Sequence, residues 1–315
     1  WARAANLPEL LIENPAVSDY LYAGNDSIVK SYLRDGVDGW RLDVAFDLGF
    51  RYLAELTKAA HAEKPDSLVL GEIANYAQEW FPSLDGILHL SMQRVLTGIA
   101  SGRITPAHGG RMLQRIYADA DFEHMLKSWV YLDNHDTVRL AHSIPERQAR
   151  RLATVLQFTL PGSPNVYYGT ELGMEGGRDP ENRAPMRWDL ATEDNPWLAL
   201  TKQLVTLRKE RRALRVGNLR WLETDRLIGF ERHTDRAGDM VVILANPSDE
   251  PVSELVMIPD SKLMDAVPLI DLLGQIPDLH VDMALVEAEL PPQAVGIYAP
   301  NTAPIGGYTP YKRVQ

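Results

Sequence analysis

Apolar runs of strand length alternate with helix-length patterns through the first two thirds of the chain, and this alternation constrains the fold more than any other feature. Gly39–Phe46, Ser67–Ile73, Gly86–Met92, Trp129–Leu132 and Asn165–Tyr168 read as strands. Stretches near 26–35, 47–63, 106–119 and 144–158 read as helices; in the last, Ala149, Leu152, Val155, Leu156 and Phe158 approximate one apolar face. Strands separated by helices indicate βα units and a parallel sheet. Residues 197–213 form one more amphipathic helix, whose basic end Arg208–Arg212 reads as a solvated terminus favoured by the helix dipole. Beyond residue 215 the pattern changes. Leu227–Glu231, Met240–Ala245, Ser253–Ile258 and Val295–Tyr298 read as strands joined by Asp, Asn, Pro and Gly turns. The expected organisation is an α/β domain over 1–214, an antiparallel β-sandwich over 215–300 and an irregular tail over 301–315.

Charge and cysteine content narrow the partners. The chain of 315 residues holds 32 Lys and Arg against 43 Asp and Glu, a net charge of −11. Such a balance disfavours nucleic acid and anionic membrane, whose phosphates need a basic surface. It suits a neutral or cationic ligand. The absence of cysteine excludes disulfides, thiolate metal sites and a cysteine nucleophile, and is compatible with the cytoplasm, the expected location. No apolar run approaches the roughly 18–20 residues that span a bilayer. The sequence begins at Trp1 rather than methionine, so the natural start is expected further upstream.

Three of the five expected strands end in an acid: Asp43 after Arg41-Leu42, Glu72 after Gly71, and Asp136 after Asn134-His135. A lone acid there reads as a helix N-cap, and Asp43 or Asp136 could serve as one. Glu72 is a poor cap, and a glutamate inside an apolar run is costly to desolvate. Three acids at equivalent places point to a site at the C-terminal ends of parallel strands, where barrel enzymes build theirs. The chemistry that uses such a set is glycoside hydrolysis. One carboxylate attacks the anomeric carbon, a second, held protonated, donates to the leaving oxygen, and a third holds hydroxyls. Arg41 lies two residues from Asp43 and shares its strand face, where a cation keeps Asp43 ionised. Crowded acids are expected to raise the pKa of Glu72 toward the range of a general acid.

These residues resemble the α-amylase superfamily of glycoside hydrolases. Gly39-Trp-Arg-Leu-Asp43 resembles its nucleophile strand, Gly71-Glu72-Ile73 its acid/base strand, and Asn134-His135-Asp136 the strand that carries its transition-state-stabilising aspartate. Leu7-Pro8-Glu9-Leu10, Pro161–Glu171 and Asp179–Trp188 resemble its flanking motifs. The ordered set covers about 180 residues. The wording around residues 7–47 is closest to the cyclomaltodextrinase, neopullulanase and maltogenic amylase branch.

The resemblance implies a (β/α)8 barrel followed by the sandwich, with barrel strands four to eight in this chain and strands one to three missing from it. Those three would come from a longer chain or a second polypeptide, and a homodimer is open. It implies a retaining hydrolase of α-glucan oligosaccharides, maltodextrins or cyclic maltodextrins. Alternatives are a transglycosylase or isomerase on the same scaffold, or an inactive or partner-dependent fragment. Asp43 would be the nucleophile, Glu72 the acid/base and Asp136 the stabiliser. Arg41, His135, Asn134, Asp179 and Arg183 would bind substrate. No cofactor and no catalytic metal are expected, and a structural calcium of the wider superfamily would lie outside this chain. Ala74-Asn75 and Phe46-Asp47 depart from the branch pattern and bear on specificity. His89 reads equally as a pocket or a buried structural histidine, and Trp80, Phe81 and Trp188 equally as sugar platforms or core.

Overall fold

Three parallel strands, β1 (Gly39–Leu42), β2 (Leu68–Ile73) and β3 (Gly86–His89), organise the first part of the chain in the computed structural model, which describes residues 4–304 and 306–314. They belong to the first of two compact units, Trp1–Leu90 and Ser91–Gln315. The central β2 buries Val69, Leu70 and Ile73. The helix Gly49–Glu63 makes the crossover from β1 to β2 and buries Leu53, Leu56 and Ala60, an apolar stripe at helical spacing. Before β1, the helix Ile28–Arg34 buries Val29 and Leu33.

β3 is shorter than expected. The strand stops at His89 and the chain enters the helix Leu90–Ala100 directly. Sequence reasoning ran the strand on to Met92 and missed this helix. Its residues Met92, Val95, Leu96, Thr97, Gly98, Ile99 and Ala100 are all buried. A helix apolar nearly all round leaves little polar alternation to reveal its period.

In the second unit β4 (Trp129–Val130) and β5 (Ser163–Pro164) pair in parallel, joined through the helix Arg147–Thr159. That helix buries Ala149, Leu152, Val155, Leu156 and Phe158 as expected. The expected strand at Asn165–Tyr168 does not form. Asn165 N donates to Val130 O at 2.8 Å, and the chain then turns into Gly169 at φ +83°. The basic end of the helix Pro196–Glu210 is not wholly solvated either. Arg208 is part-buried, and its guanidinium donates to Phe158 O at 2.9 Å and to Gly162 O. Burial pushes its pKa down to about 10. With the fully buried Arg232, which donates to Thr159 O at 2.7 Å, it satisfies carbonyls at the C-terminal end of Arg147–Thr159.

Eight antiparallel strands follow: β6 (Asn218–Trp221), β7 (Ile228–His233), β8 (Val241–Ala245), β9 (Val252–Met257), β10 (Pro268–Asp271), β11 (Leu279–His280), β12 (Leu285–Leu290) and β13 (Val295–Pro300). Six form a sheet in the order β11-β10-β13-β8-β7-β6, and β9 pairs with β12. Val242, Leu244 and Tyr298 of the larger sheet share one core with Val252, Val256, Val286 and Leu290 of the smaller. The sequence reading missed β6, β10, β11 and β12, although Val286, Ala288 and Leu290 are buried in strict alternation with exposed Glu287 and Glu289. The expected boundary at 214/215 falls inside the second unit. The tail is not wholly irregular, since Pro310–Arg313 form a 3₁₀ turn capped by the Thr309 hydroxyl. Trp1, Ile305 and Gln315, on which part of the terminal reading rested, lie outside the described residues. No helix among the described residues is long and apolar enough to cross a membrane.

Glu231 on β7 is fully buried, with its Oε2 at 2.8 Å from Arg220, which also reaches Asp260 at 3.3 Å. Burial, and then the neighbouring Asp260, push the Glu231 pKa up from 4.5 to about 8. The folded value lies above the ordinary one. The associated stability is therefore full below about 4.5 and is lost as pH rises through about 8. From pH 6 to pH 9 the unfolding free energy should fall by roughly 2 kcal/mol more than in Glu231→Gln. Denaturant titrations at the two pH values measure this, and equal losses in both proteins would refute it.

Candidate active site

β1 and β2 run in register with Leu42 opposite Gly71; Asp43 is the residue after Leu42 and Glu72 the residue after Gly71. The glycine before Glu72 is a packing requirement. A Cβ on Gly71 would come within 2.5 Å of Leu84 Cδ1 and 3.0 Å of Ala45 Cβ. Arg41 joins the two acids. Its Nη1 donates to Asp43 Oδ1, and its Nη2 lies 3.1 Å from Glu72 Oε2. The second contact is an ion pair off the hydrogen-bonding axis, for the buried Nη2 makes no aligned hydrogen bond.

Val44 completes this group, and sequence reasoning missed it. Its backbone is left-handed, at φ +41° and ψ +45°. For a β-branched residue that conformation costs about 1–3 kcal/mol. The Val44 N–H donates to Glu72 Oε2 at 3.0 Å. Oε2 is thus held twice, while Oε1 has no hydrogen bond among the described residues. The side chains also differ in access: that of Asp43 is 72% exposed and that of Glu72 13%. An open carboxylate beside a guanidinium suits a nucleophile, and a shielded one with a free oxygen suits proton transfer.

The turn Asp133-Asn134-His135-Asp136 follows β4 in the second unit. Asp133 is buried, and its carboxylate accepts from Leu140 N at 2.7 Å and from the Thr170 hydroxyl at 2.8 Å. Burial is the largest influence on its pKa and raises it. Asn134 is also buried, and its amide oxygen accepts from Asp136 N at 3.0 Å, which places it in the turn that presents Asp136. Asp136 is half exposed. His135 Nε2 lies 3.1 Å from its Oδ2, and Arg183 Nη2 donates to its Oδ1 at 3.0 Å. Arg183 Nε lies 3.1 Å from Asp179 Oδ2 and donates to His135 O at 3.0 Å.

Asn182 and Arg139 support this second group, and neither was read from sequence. The buried Asn182 amide donates to His135 O at 2.7 Å and Thr137 O at 2.9 Å. Arg139, wholly buried, donates to Asn182 O at 2.8 Å and to Tyr168 O. An arginine between Val138 and Leu140 in an apolar segment was the available signal.

The structure therefore brings Arg41, Asp43 and Glu72 together in the first unit, and Asn134, His135, Asp136, Asp179 and Arg183 in the second. His89 is buried, and burial holds its pKa down at about 4, so it is neutral at neutral pH. Trp80 and Phe81 are buried, with the Trp80 ring 4.2 Å from that of Phe50, while Trp188 is 75% exposed. Among the described residues Glu231, His233 and Asp260 place ligand atoms within 4.8 Å of one another. The Arg220 guanidinium already contacts both carboxylates there, as a cation would.

The chain is similar to known proteins. Residues 2–215 match the family model for the alpha-amylase catalytic domain. Neopullulanase 2 of Thermoactinomyces vulgaris is 30% identical over 263 residues, 81% of this chain and 44% of that protein. A cyclomaltodextrinase of a Bacillus species is 29% identical over 247 residues, 76% of this chain and 43% of that protein. The chain thus spans less than half the length of either relative. The crystal structure of an Anoxybacillus alpha-amylase matches with a TM-score of 0.79 at 25% identity, over 94% of this chain and 66% of that one. Known members of this fold imply a barrel with a β-sheet domain, consistent with the parallel and antiparallel sheets seen. With the family model matching about two thirds of the sequence, from before the Leu7 motif to the start of the sheet domain, the chain belongs to the alpha-amylase family.

Proposed function

We propose that this chain carries the catalytic carboxylates of a retaining glycoside hydrolase acting on α-glucosidic bonds in maltodextrins or cyclic maltodextrins. The observation that carries the reading is the Arg41 guanidinium paired with both Asp43 and Glu72, with Val44 N–H on Glu72 Oε2. Asp43 attacks the anomeric carbon as the C–O bond to the leaving sugar breaks. Glu72 gives its proton to that oxygen. The resulting glycosyl ester on Asp43 is hydrolysed by a water whose proton returns to Glu72. Two inversions leave the anomeric configuration retained. Asp136, held by His135 and Arg183, accepts hydrogen bonds from sugar hydroxyls, with Asp179 and Arg183 at the rim. The reaction needs no cofactor.

The names of the relatives support maltodextrins and cyclic maltodextrins as the substrate class. Five parallel strands are described here, three fewer than a closed eight-stranded barrel contains. The reading therefore includes further polypeptide, from a longer chain or a second one, that supplies the other strands, and it places the enzyme in the cytoplasm. Proton NMR of the first product from a maltodextrin tests the mechanism in any active preparation that contains this chain. The α-anomer should appear first, before mutarotation. An initial β-anomer would exclude a double displacement.

A further inference from the structure

Arg147 and Arg151 stand one turn apart on the helix Arg147–Thr159 and line a cavity of about 360 Å³ with Gln148, Gln203, Gln275 and Trp197. No carboxylate lines this cavity. A third arginine on the same helix, Arg150, lies 4.0 Å over the Trp197 ring. Among the described residues none of the three forms a salt bridge, and Arg150 Nε and Arg151 Nη2 are buried without a hydrogen-bond partner. Two acids act on the cluster without a salt bridge to it. Asp271 attracts Arg151, but its carboxylate already accepts from the N–H groups of Leu273, Gln275, Ile276 and Ile297. Glu175 attracts Arg150 without pairing with it.

The first turn of Arg147–Thr159 has no side-chain cap and adds to the positive field, whereas at Pro196–Glu210 the Trp197 and Leu198 N–H groups donate to Asn195 Oδ1. Arg147 and Gln148 are the first residues of Arg147–Thr159, and Pro196 and Trp197 the first of Pro196–Glu210. All four line the cavity. Arginine in a first turn opposes the helix dipole, and like charges one turn apart repel. Burial lowers the pKa of Arg150 and of Arg151, and Arg147 adds to the effect in both. In a chain of net charge −11, this cavity is lined by arginines and amides without a carboxylate.

We propose that the cavity binds a small phosphate ester, the Arg147 and Arg151 guanidiniums taking the phosphate and the glutamine amides taking hydroxyls of the esterified group. Paired guanidiniums and the uncapped first turn of Arg147–Thr159 are suited to phosphate oxygens. The volume lies in the range of small-molecule sites and exceeds the need of a bare ion. The proposal does not depend on the hydrolase reading.

Calorimetric titration of the active preparation that contains this chain with inorganic phosphate, glucose 6-phosphate and glucose tests it. Both anions should bind, the ester more tightly, and glucose should not. Arg147→Gln with Arg151→Gln should weaken both anions by roughly tenfold or more. Gln148→Ala should weaken the ester and leave inorganic phosphate unchanged. Unchanged binding in a double variant that is folded by circular dichroism overturns the site, as does failure of both anions to bind. Equal affinity for ester and phosphate overturns the ester. Should the double variant not fold, the Trp197 indole resonance in the unaltered preparation decides, because phosphate must shift it.

Discussion

Glu72→Gln should lower turnover of a maltodextrin by about 10²–10⁴-fold while substrate affinity stays within a few-fold. The change is nearly isosteric, so an amide oxygen can still accept from Val44 N–H. What is lost is the proton. The defect should therefore depend on the leaving group. A maltosyl fluoride departs without protonation, so formation of the glycosyl ester should be largely spared, and the loss should fall on the later water step. Asp43→Asn should differ, since it removes the attacking oxygen and must abolish reaction with both substrates. Steady-state and burst kinetics on the two substrates separate these cases. Normal maltodextrin hydrolysis by Glu72→Gln would remove the assignment of Glu72. An equal loss of ester formation on both substrates would leave it a structural rather than a proton-transferring role.

The parts of the candidate site that sequence singled out are those where a residue type conflicts with its surroundings. Glu72 stood out because nothing apolar explains a glutamate after Gly71 inside β2. Asp43 and Asp136 stood out because they close strand-like runs. Val44 gave no such signal: valine is ordinary after a strand, and nothing in its residue type announces a left-handed backbone. Asn182 was hidden for a similar reason, because its two carbonyl partners lie 47 and 45 residues away. The same distinction holds for the fold. The helix Gly49–Glu63, one face buried and one solvated, was legible. Leu90–Ala100 was not, since burial on nearly all sides blurs its periodicity, and β11 is too short to show an alternation.

Arg139→Met should destabilise the second unit by about 3–5 kcal/mol, the cost typical of breaking a buried charged network from one side. The methionine is of similar length and keeps the apolar contacts of the stem, so volume is not the main term. Three losses are. The carbonyls of Asn182 and Tyr168 lose a charged donor in a buried place. The Tyr167 and Tyr168 rings lose a guanidinium 4.3 and 4.5 Å from their centres. Buried Asp133 loses the nearby cation that partly offsets its desolvation. Arg139→Lys should recover only part, because one ammonium cannot serve two separated carbonyls with the geometry of a planar fork. Denaturant unfolding at neutral pH, compared at unchanged m-value, measures the difference. The damage should also reach function. Asn182 O anchors on Arg139 while its amide holds His135 O, so loosening it should free His135 and Arg183 from Asp136. A substrate that relies on Asp136 should then bind more weakly in variants that remain folded. A loss of stability below about 1 kcal/mol would show that the buried guanidinium is replaceable and that the Asp136 turn stands without it.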